Sequence, residues 1–488
     1  MTKAIEGLKP ERVWHYFAEI AQVPRCSKHE ERIREYILKT AKRLGLSAKT
    51  DGVGNVAIKK PASPGRQKAP SLALQGHLDM VCEKNKDKVH DFSKDPIELV
   101  RKGEWMMANG TTLGGDNGIA VAAILAVLED KTLTHGPLEA LLTIDEETGL
   151  TGAGGLAGDM LDSRMLLNLD SEEEYAVYVG CSGGRDTTAS WTVAFEPAPA
   201  KTVAGHLTVT GLKGGHSGLE IHKGRGNAIK LLNRALYALD GSGARIASVQ
   251  GGDKRNAIPR EAEALVWIPA TKWDEAVQAV AQFNATARSE LATVDPDLQI
   301  QLAQQKGAKR GSVIKKTHQK KLMQTISALP HGVVKMSADI EGLVETSTNV
   351  ASIATERSKK RLVLATSQRS SVESEIEEIC HTVQSVMTLG GATVVGSDGY
   401  PGWKPNLDSK ILKVLVAVHN ELYGREPAIK AIHAGLECGI IGEKMPGMDM
   451  ASFGPTMEGV HSPDERLHIA SVERFYQYLT AVLAKVAA

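Results

Sequence analysis

The stretch SLALQGHLDMV, residues 71–81, ends a run of small and apolar residues with His77 and, two positions later, Asp79. Such a run predicts a strand that is buried on both faces. Side chains at positions i and i+2 of a strand point the same way, so Asp79 can hold one imidazole nitrogen while the other faces a metal ion. A core histidine bonded to a neighbouring acid produces the same pattern. Taken alone, the stretch favours that simpler interpretation.

The segments around this strand predict an α/β sheet. Helical spacing of apolar residues occurs in 11–23 and 29–46, and 117–130 is interpreted as an apolar helix. Apolar strands are predicted within 54–60, 138–147 and 164–173, and the last two end in acidic clusters. Helices that alternate with buried strands indicate a mixed central sheet covered by helices on both faces. In such sheets, ligand-binding residues gather at the carboxyl ends of the strands.

The sequence pattern changes near residue 204 and changes back near residue 395. Between these points, half-exposed strands and long helices predict a separate α+β domain. The α/β pattern returns with the helix KILKVLVAVHNELYG and the segment MDMASFGP. We therefore predict one α/β domain, residues 1–203 and 396–488, interrupted by an inserted α+β domain, residues 204–395.

Composition and charge exclude several classes of partner. Hydrophobic residues make up 42% of the 488 residues and charged residues 24%, as in a globular protein with a large core. Lys plus Arg and Asp plus Glu are both 58, so no overall charge attracts nucleic acid or an anionic membrane. The basic stretch 304–322 contains no aromatic residues for base stacking and is interpreted as a solvated surface.

The ends and the cysteines favour a cytoplasmic protein. The first residues lack an apolar signal segment, and no apolar run approaches the roughly 18 residues of a membrane span. The five cysteines form no CxxC pair, so reduced thiols are expected; they are Cys26, Cys82, Cys181, Cys380 and Cys438.

Four further motifs carry possible ligands, each with a simpler interpretation. Asp116, in GTTLGGDNGIA, also fits a helix N-cap. Glu146 and Glu147, in LLTIDEETG, also fit a solvated acidic turn. Asp170 follows a buried strand in MLLNLDSEE, and His461 lies in a Gly/Pro-containing loop before the last helix. Singly these motifs are weak, but together they follow or border buried segments of one domain.

Two histidines and three carboxylates suit two divalent cations that share a bridging carboxylate. Metals paired about 3.5–4 Å apart lower the pKa of a trapped water toward about 7. Hydrolysis then needs one more acid, not bound to metal, to accept the proton of that water. The adjacent pair Glu146–Glu147 can supply both a ligand and this base.

The motifs GHLDMV, GGDNGI, DEETG, NLDSEE and GVHSPDERL resemble, in that order, those of dizinc exopeptidases of the aminoacylase and glutamate carboxypeptidase kind. Within that clan, KGGHSGLEIHKGRGNA, RNAIPRE and IHAGLECG resemble the family of Xaa-His dipeptidases. The resemblance covers essentially the whole chain. It implies a zinc-exopeptidase-like catalytic domain with an inserted lid and dimerisation domain.

The resemblance also implies a role for each motif residue. Asp79 would orient His77, and Glu146 would be the general base. The peptide bond between Asp116 and Asn117 would be cis; many relatives have Asp-Asp here, but the bridging position is kept. The metal ligands would be His77 and Asp170 for one zinc, Glu147 and His461 for the other, and Asp116 for both.

In the inserted domain, the resemblance implies that His216 stabilises the oxyanion of the tetrahedral intermediate. Asn256 and Arg369 match positions near the substrate carboxylate, which suits the planar fork of an arginine. Gly435 would bring its backbone close to the substrate.

The implied activity is hydrolysis of L-aminoacyl-L-histidine dipeptides, including carnosine-like ones, by a homodimer with two Zn²⁺ per subunit, which Co²⁺ or Mn²⁺ can replace. Two alternatives stay open. The first is an N-acyl amino acid amidohydrolase of the same clan, and the second is a catalytically silent protein that binds metal or peptide. The presence of all five ligands and of Glu146 speaks against the second.

Overall fold

The computed structural model describes residues 3–488, which divide into two compact units. The first runs to Gly180 and resumes at Trp403–Ala431 and Leu436–Ala488; the second comprises Cys181–Gly402 and Ile432–Gly435. The junctions predicted from the sequence, 203/204 and 395/396, both lie inside the observed second unit. The reason is that residues 183–192 form a strand that pairs along its whole length with 361–370, so they belong to the second unit's sheet.

Helices form where the sequence predicts them, over the periodic segments 11–23 and 29–46 and the apolar segment 117–130. Short 3₁₀ helices lie at Lys3–Ile5, Ile221–Lys223, Asp240–Ser242, Ala270–Lys272 and Arg357–Lys359. The α-helices are α1 (Glu11–Ile20), α2 (Glu31–Arg43), α3 (Gly115–Glu129), α4 (Glu146–Gly149), α5 (Thr151–Gly154), α6 (Ala228–Ala238), α7 (Trp273–Glu290), α8 (Lys316–Ala328), α9 (Glu373–Leu389), α10 (Lys410–Tyr423), α11 (Glu437–Lys444) and α12 (Ile469–Val486).

The strands include each one that the sequence pattern predicts near the candidate ligands. In chain order they are β1 (Ser47–Thr50), β2 (Val56–Lys60), β3 (Leu72–His77), β4 (Leu99–Lys102), β5 (Trp105–Ala108), β6 (Leu138–Thr143), β7 (Met165–Asn168), β8 (Ala176–Cys181), β9 (Gly183–Thr192), β10 (Phe195–Pro197), β11 (Thr202–Thr210), β12 (Gly215–His216), β13 (Arg245–Gly251), β14 (Ala257–Ile258), β15 (Ala262–Pro269), β16 (Gln299–Gln304), β17 (Ser312–Ile314), β18 (Gly332–Met336), β19 (Val344–Glu356), β20 (Arg361–Ser370), β21 (Thr393–Gly396), β22 (Ala428–Ile432), β23 (Asp449–Ser452), β24 (Met457–Glu458) and β25 (Arg466–His468).

The first unit is built on an eight-stranded mixed sheet in the order β1-β2-β6-β3-β7-β23-β8-β22. β6, β3, β7 and β23 run parallel, whereas β2 is antiparallel to β6 and β8 is antiparallel to β23. Every residue of β3 and of β6 is buried, as their continuous apolar runs predict. α3 is apolar on all sides because nearly all of it is buried beside this sheet. The predicted mixed α/β fold is confirmed.

The second unit has an antiparallel sheet in the order β16-β11-β15-β13-β19-β20-β9-β21, with β18 also pairing with β19. Its core includes a large apolar cluster to which α6, α7, α8 and α9 contribute residues such as Leu232, Val280, Ile326 and Val383. This unit therefore has a hydrophobic core of its own, as expected for an inserted α+β domain.

The expectation of five reduced thiols is wrong for two of them. Cys26 and Cys82 form a disulfide, although they are 56 residues apart in the sequence. The reason is that Cys26 makes a parallel bridge with Met80, which brings Cys82 beside it. The sequence contains no spacing signal for this contact. Among residues 3–488, no helix is both long enough and apolar enough to cross a membrane.

Candidate metal centre

His77 is the last residue of β3 and lies at the carboxyl edge of the first unit's sheet. β3 is parallel to both neighbours, with His77 opposite Thr143 in β6 and Gln75 opposite Asn168 in β7. Residues that follow these strands are thus delivered to the same edge, which brings Asp170 level with His77. The cluster of polar side chains is a direct result of the parallel register.

Asp116 lies between the two predicted metal-binding histidines. Its Oδ1 is 2.9 Å from His77 Nε2, and its Oδ2 is 3.3 Å from His461 Nε2. Glu147 Oε2 is 2.9 Å from the same nitrogen of His461, and Asp170 Oδ1 is 3.4 Å from His77 Nε2. The structure therefore brings all five predicted ligands together, and one carboxylate faces both halves of the group.

Asp116 does not cap α3, which was the simpler interpretation of its motif. The N-cap position is Gly114, and the backbone of Asp116 and Asn117 is not helical. The peptide bond between these two residues is cis, as the resemblance implies. The side chain of Asp116 is thus directed to the histidines instead of to the helix.

Asp79 connects His77 to the start of α4. Its Oδ1 is 3.3 Å from His77 Nδ1. Its two oxygens accept hydrogen bonds from the backbone N–H groups of Glu146 at 3.1 Å and Glu147 at 3.2 Å, and from Ser27 Oγ at 2.8 Å. A carboxylate on Nδ1 leaves Nε2 to face the other ligands. Asp79 therefore faces the imidazole and holds the backbone of the two glutamates, which lie in a short helix and not in a solvated turn. Its role in orienting His77 stays a prediction.

The donor set suits divalent cations. Two groups of three possible ligand atoms each have their atoms within 4.8 Å of one another. One group comes from His77, Asp116 and Asp170, and the other comes from Asp116, Glu147 and His461. Buried Glu147 Oε1 and Asp170 Oδ1 have no hydrogen-bond partner within residues 3–488. Burial raises the pKa of Asp170 to about 7, although the charge of His77 opposes this. Bound cations would offset the cost of burying these carboxylates.

Glu146 combines the position and the environment of a proton acceptor. One of its carboxylate oxygens lies within 4.8 Å of ligand atoms of His77 and Glu147. Burial raises the pKa of Glu146 well above its ordinary value, against the effect of the His77 charge. A carboxylate with a raised pKa accepts a proton more readily near neutral pH.

Glu465 and Arg25 support the loop that carries Asp116, and sequence analysis missed both. The carboxylate of Glu465 accepts hydrogen bonds from the four successive backbone N–H groups of residues 113–116, at 2.7–3.3 Å. The guanidinium of Arg25 donates to the carbonyl oxygens of Leu78 and Asp79 and to that of Gly114. Glu465 lies only four residues after His461, but nothing in the motif shows that its side chain turns inward.

The predicted substrate-binding residues lie in the second unit, and two of them line one cavity. His216 and Asn256 contribute to an open cavity of about 790 Å³. Nδ1 of His216 accepts hydrogen bonds from the backbone N–H groups of Gly218 at 3.1 Å and Leu219 at 3.0 Å. Burial, with the nearby charge of Arg369, lowers the pKa of His216. Its ring is therefore neutral, with the proton on Nε2.

Arg369 and Gly435 are close to each other but do not line that cavity. Both contact Tyr400: Arg369 Nη1 donates to the phenol oxygen at 2.8 Å, and a Cβ added to Gly435 would lie 2.8 Å from the Tyr400 ring. The structure therefore forms two sets within the second unit, one with His216 and Asn256 and one with Arg369 and Gly435. The roles of these four residues stay predictions.

A mixed α/β sheet that delivers histidines and carboxylates to one edge in this arrangement is typical of metal-dependent hydrolases. Comparison with family models agrees: the model described as peptidase family M20/M25/M40 matches residues 73–485. The chain belongs to this family and is a hydrolase that acts on peptide bonds.

Two relatives are similar over almost the whole chain. The chain is 42% identical over 485 residues to the cytosol non-specific dipeptidase of Escherichia coli (strain K12), covering 99% of each sequence. The crystal structure of aminoacylhistidine dipeptidase from Vibrio alginolyticus superposes with a TM-score of 0.91 at 43% identity, covering 98% of this chain and 97% of that one. Aminopeptidase PepT from Bacillus cereus, at 16% identity and a TM-score of 0.57 over 99% of this chain and 100% of that one, shares the fold. The predicted family and enzyme class are confirmed.

Proposed function

We propose that this chain is a dipeptidase that hydrolyses L-aminoacyl-L-histidine and related dipeptides, including carnosine-like ones, with two Zn²⁺ per subunit. One observation carries the proposal: the two oxygens of Asp116 face different histidines, at 2.9 Å from His77 and 3.3 Å from His461. A carboxylate that faces two separate imidazoles is the expected bridge between two cations. Both relatives that are similar over the full length are dipeptidases, which supports the choice of dipeptides as substrates.

The proposed ligands are His77 and Asp170 for one cation, Glu147 and His461 for the other, and Asp116 for both. When bound, the cations would polarise the scissile carbonyl and make water a better nucleophile at neutral pH. Nitrogen and carboxylate ligands suit zinc, and Co²⁺ or Mn²⁺ can bind the same donors.

Glu146 would accept the proton of the attacking water and then give it to the departing amine. Its carboxylate is not needed in either proposed ligand set, and Asp79 holds its backbone N–H. One carboxylate can perform both proton transfers because the acid formed in the first transfer is the donor in the second. Asp79 would at the same time hold the imidazole of His77 in one orientation.

His216 would stabilise the oxyanion of the tetrahedral intermediate. Because its Nδ1 accepts two backbone hydrogen bonds, its Nε2–H is the free donor of the ring. One well-placed donor of this kind contributes about 2.7–4 kcal/mol to the transition state. Arg369, Asn256 and the backbone of Gly435 would bind the carboxylate end of the substrate and its surroundings.

The second unit would serve as lid and dimerisation domain of a homodimer. Val333, Val334 and Met336 on β18 are 38%, 50% and 45% exposed, an unusual run of apolar side chains on one short strand. Exposed apolar patches of this kind mark protein interfaces. Val334→Lys should therefore shift the protein toward monomer in light scattering, and an unchanged mass would contradict this interface.

A cytoplasmic location is proposed from the similarity to the cytosol dipeptidase of Escherichia coli. Disulfides are rare in that compartment, and the Cys26–Cys82 disulfide is an exception to this rule. When thiols are alkylated in intact cells before lysis, Cys26 and Cys82 are expected to stay unblocked, and blocked thiols at both positions would show that the disulfide is reduced in the cell.

The decisive experiment combines metal analysis with a substrate panel. Purified protein is expected to hold two metal ions per chain, to cleave Xaa-His dipeptides and to lose activity with chelator, which added Zn²⁺ restores. N-acetyl amino acids serve as the comparison, because cleavage of these alone would identify an amidohydrolase instead. A metal-loaded protein that cleaves none of the panel would contradict the proposal.

A further inference from the structure

The guanidinium of Arg369 is buried with a free donor. The residue is 7% exposed and lies in β20, where it is opposite Gly184 of β9 and Ser347 of β19. Its Nη1 donates to Tyr400 Oη at 2.8 Å, but its buried Nε has no hydrogen-bond partner in the described part of the chain. A buried, permanently charged donor without a partner is costly. Its position therefore indicates a ligand with an acceptor.

The ring of Tyr400 packs against the backbone of two glycines, Gly184 and Gly435. The backbones of Tyr400 and Gly184 exchange hydrogen bonds of 3.0 Å in both directions. A Cβ added to Gly184 would lie 2.7 Å from the ring of Tyr400, and one added to Gly435 would lie 2.8 Å from it. Only residues without a side chain leave room for the ring at both positions. The packing of Tyr400 therefore gives a reason for a glycine at position 435.

The charge of Arg369 is not matched by the groups around it. Ser347, opposite Arg369 in β19, forms a 2.7 Å hydrogen bond with Nε2 of His433, which is 6% exposed. Burial, followed by the charge of Arg369, lowers the pKa of His433 to about 3, so this ring is neutral. Burial also raises the pKa of Tyr400, which keeps the phenol neutral. An anionic ligand would satisfy both the free donor of the guanidinium and its charge.

We propose that Tyr400 is a positioning residue, which fixes the guanidinium of Arg369 to receive the carboxylate of the dipeptide. This inference rests on the proposed function, because that function supplies a substrate with a free carboxylate. An arginine has no acceptor, so the phenol oxygen must accept the hydrogen bond. That bond holds one side of the planar guanidinium and leaves Nε directed elsewhere. Gly184 and Gly435 contribute by leaving space for the ring.

Tyr400→Phe tests the proposal because it keeps the ring and removes the phenol oxygen. The KM for an Xaa-His dipeptide is expected to rise about tenfold, the usual loss for a hydrogen bond to a charged group, with kcat within about twofold. The same dipeptide with a C-terminal amide lacks the carboxylate, so its kcat/KM should be nearly unchanged. A merely structural role would affect both substrates alike.

Tyr478→Phe is the matched control. The phenol of Tyr478 is buried in the first unit and donates to the carbonyl oxygen of Leu415 at 2.8 Å. Its loss should lower stability without changing the KM. Gly184→Ala is a second variant, which displaces the ring of Tyr400 and should also raise the KM for the dipeptide.

Three results would overturn the inference. These are an unchanged KM in Tyr400→Phe, a loss confined to kcat, and equal losses on the dipeptide and on its amide. If the wild-type protein cleaves dipeptides, any of these results removes the role of Tyr400 alone. If the wild-type protein cleaves no dipeptide, both the inference and the proposed function are wrong.

Discussion

At the scale of single residues, the metal centre depends on how a few carboxylates are held. Asp116 faces two histidines from a loop whose backbone N–H groups donate hydrogen bonds to the carboxylate of Glu465. Asp79 plays a similar part for His77 and for the start of α4. We therefore expect the residues that hold a candidate ligand in place to matter as much as the ligands, although a position within a motif does not show what a side chain contacts.

Glu146→Gln should keep metal binding and abolish catalysis. The amide has nearly the same shape as the carboxylate but cannot accept the proton, so kcat should fall by about 10²–10⁴-fold. Metal content is measured by elemental analysis and activity with an Xaa-His dipeptide. Glu473→Gln, at an exposed position in α12, is the control and should behave as the wild type. Near-normal turnover in Glu146→Gln would remove the general-base assignment.

Glu465→Gln should weaken metal binding although Glu465 is not one of the proposed metal ligands. The amide NH₂ would meet backbone N–H donors where the carboxylate now accepts four hydrogen bonds. We expect metal affinity to fall by about 10–100-fold, measured by competition with a chromogenic chelator. Glu458→Gln, at the exposed end of β24, is the control. Equal affinities in the two variants would show that Glu465 does not position Asp116.

His433 should make stability depend on acid pH. Burial lowers its pKa to about 3, whereas the pKa in the unfolded chain is about 6.5. Below about pH 6.5 the imidazole of His433 binds a proton in the unfolded chain but not in the folded one. The contribution of His433 to the free energy of unfolding is therefore fully present above about pH 6.5 and is lost as the pH falls toward 3. The slope should reach about 1.4 kcal/mol per pH unit in urea unfolding of the second unit. His433→Gln should reduce this slope by that amount, and an equal slope in the variant would contradict the assignment.

At the scale of elements, the site follows from three parallel strands that end at one edge. β3, β6 and β7 are adjacent, and their register brings the segments after them together. The segment before α2 is attached to the same region, through the Cys26–Cys82 disulfide and the bridge between Cys26 and Met80. That attachment places Ser27 Oγ 2.8 Å from the carboxylate of Asp79.

Reduction of the Cys26–Cys82 disulfide should lower the stability of the first unit. The disulfide closes a loop across a sequence separation of 56 residues, for which loop entropy predicts about 4 kcal/mol. The unfolding temperature should fall when a reductant is added to the oxidised wild type. The variant with both Cys26→Ser and Cys82→Ser should start at the lower temperature and not respond to reductant. A response in that variant would point to another cause.

At the scale of the whole molecule, two compact units each have a core of their own. The proposed metal ligands all belong to the first unit, and the proposed substrate-binding residues His216, Asn256, Arg369 and Gly435 all belong to the second. Metal binding should consequently stabilise only one of the two units.

Removal of the metals should therefore lower the temperature of one calorimetric unfolding transition and leave that of the other unchanged. A ligand present at about 1,000 times its Kd stabilises the folded state by about 4.1 kcal/mol. Chelator should shift the transition of the first unit down, and Zn²⁺ should restore it. The variant with both His77→Ala and His461→Ala is the control and should show no shift. Two transitions that move together would show that the units unfold as one.

The sequence by itself was sufficient for the fold class and for naming five candidate ligands that the structure brings together, whose role as ligands stays a prediction. Both depend on local patterns. Buried strands appear in the sequence as continuous apolar runs, and the candidate ligands lie next to such runs or in short distinctive motifs. These candidates are His77, Asp116, Glu147, Asp170 and His461. The resemblance to dizinc exopeptidases supplied their roles, because spacing alone does not show which side chains meet.

Only the tertiary structure decided which residues support the site. The inward turn of Glu465, the burial of Arg25, the disulfide of Cys26 and the contact of Tyr400 with Arg369 join segments far apart in the sequence. The junctions of the two units were also settled in this way, because the pairing of β9 with β20 is a long-range contact. Local sequence patterns report the conformation of a segment and its burial, but a contact between distant segments depends on how the whole chain packs.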